Sequence, residues 1–243
     1  MKKHILFLIL PFVVFLSSCD EFNEQRIVGN GVVTKNVHDV GGFSAINASS
    51  SMDVTVKQSD RFKVEVETDE NLQEVVSVYE MDSTLYLKLK EGFSIRSSGD
   101  TKIYVEMPVL KKLKASGVVD VETDGKFNQR QGLDISLSGA SEADLQIRTP
   151  HIEVKVSGAG SVKIKGETKD INLKASGASN INTYDLLAET VIANATGASH
   201  IKTFGSVLFN FTASGASSIE YKGEGAVEKS KSSGASNIKA SEK

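Results

Sequence analysis

Asp120, Glu122, Glu142 and Asp144 form two alternating carboxylate pairs 22 residues apart, one about Val121 and the next about Ala143. Alternate residues of a strand share a face, so each pair projects from one side of its strand. Four carboxylates on one face repel one another, and a hard cation that takes oxygen ligands, such as Ca²⁺, would relieve the repulsion. The same pattern is that of a solvated acidic face partly neutralised by Lys163, and this plainer reading is preferred. Other reactive groups are sparse. His38, His151 and His200 are scattered and no Cys accompanies them in the fold, which excludes a zinc site of the usual Cys/His spacing. There is no Gly-x-Ser-x-Gly nucleophile elbow. Gly158-Ala159-Gly160 and Gly223-Glu224-Gly225 lack the third glycine of a dinucleotide fingerprint. With no convergent acid, base and cation, no catalytic residue and no cofactor is expected. A polysaccharide lyase or hydrolase working on the side of the molecule is the rival reading.

Cys19 is the only thiol in the chain, so it has no internal disulfide partner. Ahead of it stand Lys2 and Lys3 and an uncharged run from Ile5 to Leu16. That is the layout of a secretory signal, too short to span a bilayer core of about 30 Å as a helix. The run ends in Leu16-Ser17-Ser18-Cys19, which resembles the bacterial lipobox: an aliphatic residue, two small residues, then a Cys that is acylated before cleavage. The resemblance implies lipidation of Cys19, attachment to a membrane through that lipid, and a cell-envelope location, with the outer membrane expected and the leaflet open. Residues 1–18 are read as the signal. Residues 19–36, polar and Gly-bearing, are read as a flexible tether. A formal net charge of -3 carries no basic footprint of the kind nucleic-acid binding needs.

The element that must position everything else is a repeat. Ala115-Ser116-Gly117 recurs as Leu137-Ser138-Gly139, Val156-Ser157-Gly158, Ala175-Ser176-Gly177, Ala195-Thr196-Gly197, Ala213-Ser214-Gly215 and Ser232-Ser233-Gly234, with successive glycines 22, 19, 19, 20, 18 and 19 residues apart. Four residues after each Gly comes Val121, Ala143, Val162, Ile181, Ile201, Ile219 or Ile238. Lys155, Lys163, Lys174, Asn182 and Lys202 fill alternating slots, so one face is core and the other is water. A period near 19 residues is too short for a strand–helix–strand unit or a propeller blade. It predicts a parallel β-solenoid in which each repeat is one turn, with the Ser-Gly element at a corner where Gly supplies a conformation other residues resist. His200 then falls in an outward column with Asp120, Glu142, Ser161, Asn180, Ser218 and Asn237, as a surface polar residue.

The repeat extends upstream. Phe43 to Val54 aligns with Leu110 to Val121 at an offset of 67 residues. The strand-like runs between the two copies, Phe62 to Glu67, Val75 to Tyr79, Leu85 to Leu89 and Lys102 to Glu106, read as longer, less regular turns capping the open end. One all-β domain over residues 37–243 is expected, irregular over 37–109 and regular over 110–243. In the last repeat the inward columns hold Ser230 and Ser232 among Lys229, Lys231, Lys239 and Lys243, a polar edge that should keep the protein monomeric.

Val40-Gly41-Gly42-Phe43-Ser44-Ala45-Ile46, Asp82-Ser83-Thr84-Leu85-Tyr86-Leu87, Val105-Glu106-Met107-Pro108-Val109-Leu110-Lys111-Lys112-Leu113 and the Ser-Gly-Ala-Ser repeats together resemble the auto-transporter adhesin head GIN domain family over about Val37 to Ala226. The resemblance implies a right-handed β-helix on a secreted or lipid-anchored bacterial protein. It supplies no established catalytic residues. The implied role is non-enzymatic binding or adhesion, with a polysaccharide or a surface protein as partner. A structural role through end-to-end stacking is the other alternative.

Overall fold

The computed structural model describes residues 24–241, and Cys19 with its signal lies outside them. The chain is all-β, a stack of parallel coils forming a solenoid of about six turns. The predicted columns are the observed register. Val121, Ala143, Val162, Ile181, Ile201, Ile219 and Ile238 lie one above the next on parallel strands. So do Leu113, Ile135, Val154, Leu173, Ala193, Phe211 and Ser230. Parallel in-register stacking places like side chains over like, so one apolar choice is reused at each level and the core is a continuous column. Val121, Val162, Leu173 and Ile201 within it are essentially sealed from solvent, each such burial contributing roughly 1.5–3 kcal/mol.

At the corner, Gly117, Gly139, Gly158, Gly177, Gly197, Gly215 and Gly234 all have φ between +73° and +88°. A Cβ on Gly177 would also lie 2.7 Å from the carbonyl oxygen of Gly158 one turn below. Glycine is thus required twice, for its backbone region and for the closeness of the next rung. The upstream copy places Ser50 opposite Gly117, at φ 87°. The second serine of the motif is buried and stitches turns together. Ser199 Oγ donates to Thr196 O in its own turn at 2.9 Å and to Ala175 O of the turn below at 3.2 Å. Ser217 repeats the pattern with Ser214 O at 2.9 Å and Ala195 O at 3.0 Å.

The N-terminal part differs from the expected series of irregular turns. Ala45–Gln58 is a true rung, parallel to Lys112–Asp124 with the 67-residue offset intact. On its other side lie Thr84–Leu89 and Lys102–Met107, also parallel. Lys63–Asp69, however, runs antiparallel to Lys102–Met107 and to Val33–His38, and Val76–Met81 runs antiparallel to Thr84–Leu89. The last of these pairs is a hairpin turned at Asp82 and Ser83, both at positive φ, the two-residue geometry that matches the strand twist. The two parallel strands on the first rung are thereby covered in turn by reversed strands, which leaves no regular parallel edge there.

The described part of the expected tether is strand as well. Gln25–Val28 pairs with Phe93–Arg96, and Val33–His38 pairs with Lys63–Asp69. The fastening is Asp69, which has no exposed surface. Its carboxylate accepts from Gly31 N at 2.7 Å, Ser97 Oγ at 2.8 Å, Ser98 N at 2.8 Å and Ser98 Oγ at 2.6 Å. These donors, the hydroxyl and amide of Ser98 foremost, hold the acid well below the usual carboxylate range. A depressed carboxylate contributes stability that is fully present above the unfolded value of about 3.9 and is lost only as pH falls toward the folded value beneath it. Asp69→Asn is therefore expected to strip hydrogen-exchange protection from Gly31, Ser98 and the two N-terminal strands at neutral pH, while the regular turns stay protected. Unchanged protection at Gly31 and Ser98 would show that the carboxylate is not the fastening.

Candidate binding groove

Each turn sends two outward side chains into the bend just before the corner. Three residues before Gly the column reads Asn47, Lys114, Ser136, Lys155, Lys174 and Asn194, in register from rung to rung. One residue before Gly it reads Ser116, Ser138, Ser157, Ser176 and Thr196. Because the chain bends here on every level, the two columns line a continuous groove of about 610 Å³. Its floor is the strand surface at Ala115, Leu137, Val156 and Ala175, residues whose side chains are buried in the core. Glu153 sits beside it, 3.0 Å from Lys155 Nζ and 3.1 Å from Lys174 Nζ. Those two ammonium groups hold the Glu153 carboxyl below its ordinary range. Lys114 makes no ion pair among the described residues.

The wall just after the corner has the opposite charge. Asp120 lies over Glu142 and Glu122 over Asp144, as the spacing predicts. Asp53 joins them from the rung on the other side of Asp120, and the group lines a cleft of about 410 Å³. Burial pushes the Asp53 carboxyl up, and the neighbouring Asp100 and Asp120 push it further. Lys163 Nζ stands 3.7 Å from Asp144, and Thr55 Oγ1 donates to Glu122 at 3.2 Å. Among the described residues no three His, Cys, Asp or Glu side chains converge closely enough to hold a metal ion. The four carboxylates share a wall without forming a coordination shell. Asp53 was missed although its signal was present, since the 67-residue offset sets it opposite Asp120.

The histidines stay apart. His200 hydrogen-bonds Ser218 within its outward column of Asn180, Ser218 and Asn237, and burial followed by Lys202 lowers its pKa. His38 is lowered by burial in the N-terminal cap, and His151 is exposed. A further hollow of about 1010 Å³ runs past Arg148, Glu167 and Lys169. Its lining carries Arg130, Arg148 and Lys169 against Glu167 and Glu189, with Lys126 at 2.9 Å and Arg148 at 3.3 Å from Glu167.

Solved structures share this architecture. A putative adhesin from Bacteroides fragilis is 26% identical, with 88% of this chain and 99% of that one covered and a TM-score of 0.81. A putative lipid binding protein from Parabacteroides distasonis is 20% identical over 88% and 99%, with a TM-score of 0.72. A putative adhesin from Parabacteroides merdae is 18% identical over 89% and 99%, with a TM-score of 0.69. No curated protein matches the sequence. The family model described as "Putative auto-transporter adhesin, head GIN domain" matches residues 42–225, from the first rung through the last apolar one, and the chain belongs to that family.

Proposed function

We propose that the protein is a lipid-anchored cell-envelope protein whose rigid solenoid binds a partner along its side without transforming it. The observation that carries the reading is the groove before the corner, in which the same outward side chains are offered at successive levels. Family and structural neighbours bear adhesin names, which agrees with a non-enzymatic surface role. The test is a binding screen of the purified protein against polysaccharides and envelope proteins, with and without calcium, coupled to an assay for chain cleavage. Saturable binding with no new reducing ends or unsaturated products is expected. Turnover of any polysaccharide would move the protein to the lyase or hydrolase class.

Attachment at Cys19 is the second part of the reading, supported by Leu16-Ser17-Ser18-Cys19 behind an uncharged run. Cys19 is six residues from Gln25, whose strand is already paired to the body. Six residues span at most about 20 Å, so a lipid on Cys19 would hold the N-terminal cap close to the membrane, with the outer membrane as the proposed site. Cys19→Ser should abolish incorporation of labelled fatty acid, and equal labelling of wild type and variant would refute the anchor.

A further inference from the structure

We infer that the occupant of this groove is a linear acidic polysaccharide lying parallel to the solenoid axis, its sugars meeting successive rungs. The inference rests on the side-wall binding reading and assigns its ligand class.

Spacing is the first argument. Rungs of a parallel stack repeat at about 4.8 Å, a step comparable with the advance per sugar of an extended glycan. A chain laid along the axis therefore meets an equivalent set of groups at each level, whereas one laid across the rungs meets the set once. The hydroxyl column through Ser116, Ser138, Ser157, Ser176 and Thr196 offers an acceptor oxygen at every step, suited to the hydroxyl groups of a sugar, while Ser157, Ser176 and Thr196 donate their own protons to Leu137 O, Val156 O and Ala175 O of the rung below.

Charge decides between a neutral and an acidic chain. Lys114, Lys155 and Lys174 stand in the adjacent column, and Lys155 and Lys174 share one internal carboxylate, Glu153, so cationic charge is left over in the groove. Lys155 and Lys174 side chains are 54% and 46% exposed, within reach of a ligand. Across the corner Asp53, Asp120, Glu122, Glu142 and Asp144 present the opposite sign. A polyanion is drawn to one wall and repelled by the other, although the whole chain carries -3. No Phe, Tyr or Trp lines the groove, so recognition has to come from charge and hydroxyls rather than from stacking on an aromatic ring.

The test titrates the purified protein with polygalacturonate, the same polymer after reduction of its carboxyl groups, and phosphatidylglycerol vesicles. Polygalacturonate should bind. Combining Lys114→Gln, Lys155→Gln and Lys174→Gln should weaken it roughly tenfold, the order expected for three exposed ion pairs. Glu153→Gln, which removes the internal competitor, should tighten it. These residues are surface groups, and an unchanged melting temperature separates lost binding from lost fold. Equal binding of the reduced polymer would assign a neutral glycan, and binding of the vesicles alone would assign a lipid surface. Undiminished binding by the triple variant would place the polyanion elsewhere. Each of these overturns the inference, as does failure of polygalacturonate to bind while another partner in the wider screen does, an outcome that leaves side-wall binding intact.

Discussion

Gly177→Val is expected to destabilise the protein by at least about 3 kcal/mol, measured as a loss in the free energy of unfolding by denaturant. Two costs add. A β-branched residue held at φ +76° departs from its allowed backbone region, at roughly 1–3 kcal/mol. The new Cβ would also lie 2.7 Å from Gly158 O, with the nitrogen of Gly158 at 3.1 Å, so two turns must separate locally. The nearby bond from Ala178 N to Gly158 O, 2.8 Å, would be strained with them. Ala178→Ser, one residue on and exposed, should change stability by less than about 0.5 kcal/mol. If both variants unfold at the same denaturant concentration as wild type, the corner is not a point of close approach. Ser50 shows why the same position tolerates a side chain once. It lies on the first rung, opposite Gly117, and its Oγ lies 3.4 Å from Leu89 N of the capping strand.

Parallel in-register rungs make the sequence repeat its own tertiary contacts, so the inward columns through Ile219 and Phe211, the corner glycines and the acidic pairs were all legible from spacing alone. Reversal of the chain was not. Asp82-Ser83 is a weaker hairpin signal than Asn-Gly, and strands such as Lys63–Asp69 look the same in sequence whether they run parallel or antiparallel. The partners of Asp69 were equally hidden, since Gly31, Ser97 and Ser98 lie 28 to 38 residues away with no periodic relation to it. The groove stood between these cases. Its lysines were visible as outward slots, but concavity comes from the bend at the corner, which spacing does not report.

Phe211→Ala should be the other large loss, about 3–5 kcal/mol, because of what it seals. In a solenoid each turn contacts only its neighbours, so the last apolar level needs a lid. Phe209, Phe211 and Tyr221 meet with ring centroids 5.0 to 5.1 Å apart and fill the core where the inward columns end. Above them Ala226–Gly234 is exposed throughout, with Ser230 over Phe211 and Ser232 over Ala213. Ser232 Oγ is occupied with Ser236, at 2.8 Å from its carbonyl oxygen and 2.7 Å from its hydroxyl. The aromatic level thus supplies the closure, and the polar turn beyond it shields the strand edge. Two measurements separate these roles. Phe211→Ala should lower the unfolding free energy while leaving the mass in solution unchanged. Ser230→Leu with Ser232→Ala should keep the protein folded but drive association in sedimentation, since an apolar end presents an open parallel edge to a second molecule. A wild-type dimer that dissociates when residues beyond Gly225 are removed would reverse the assignment and make the last turn a stacking surface.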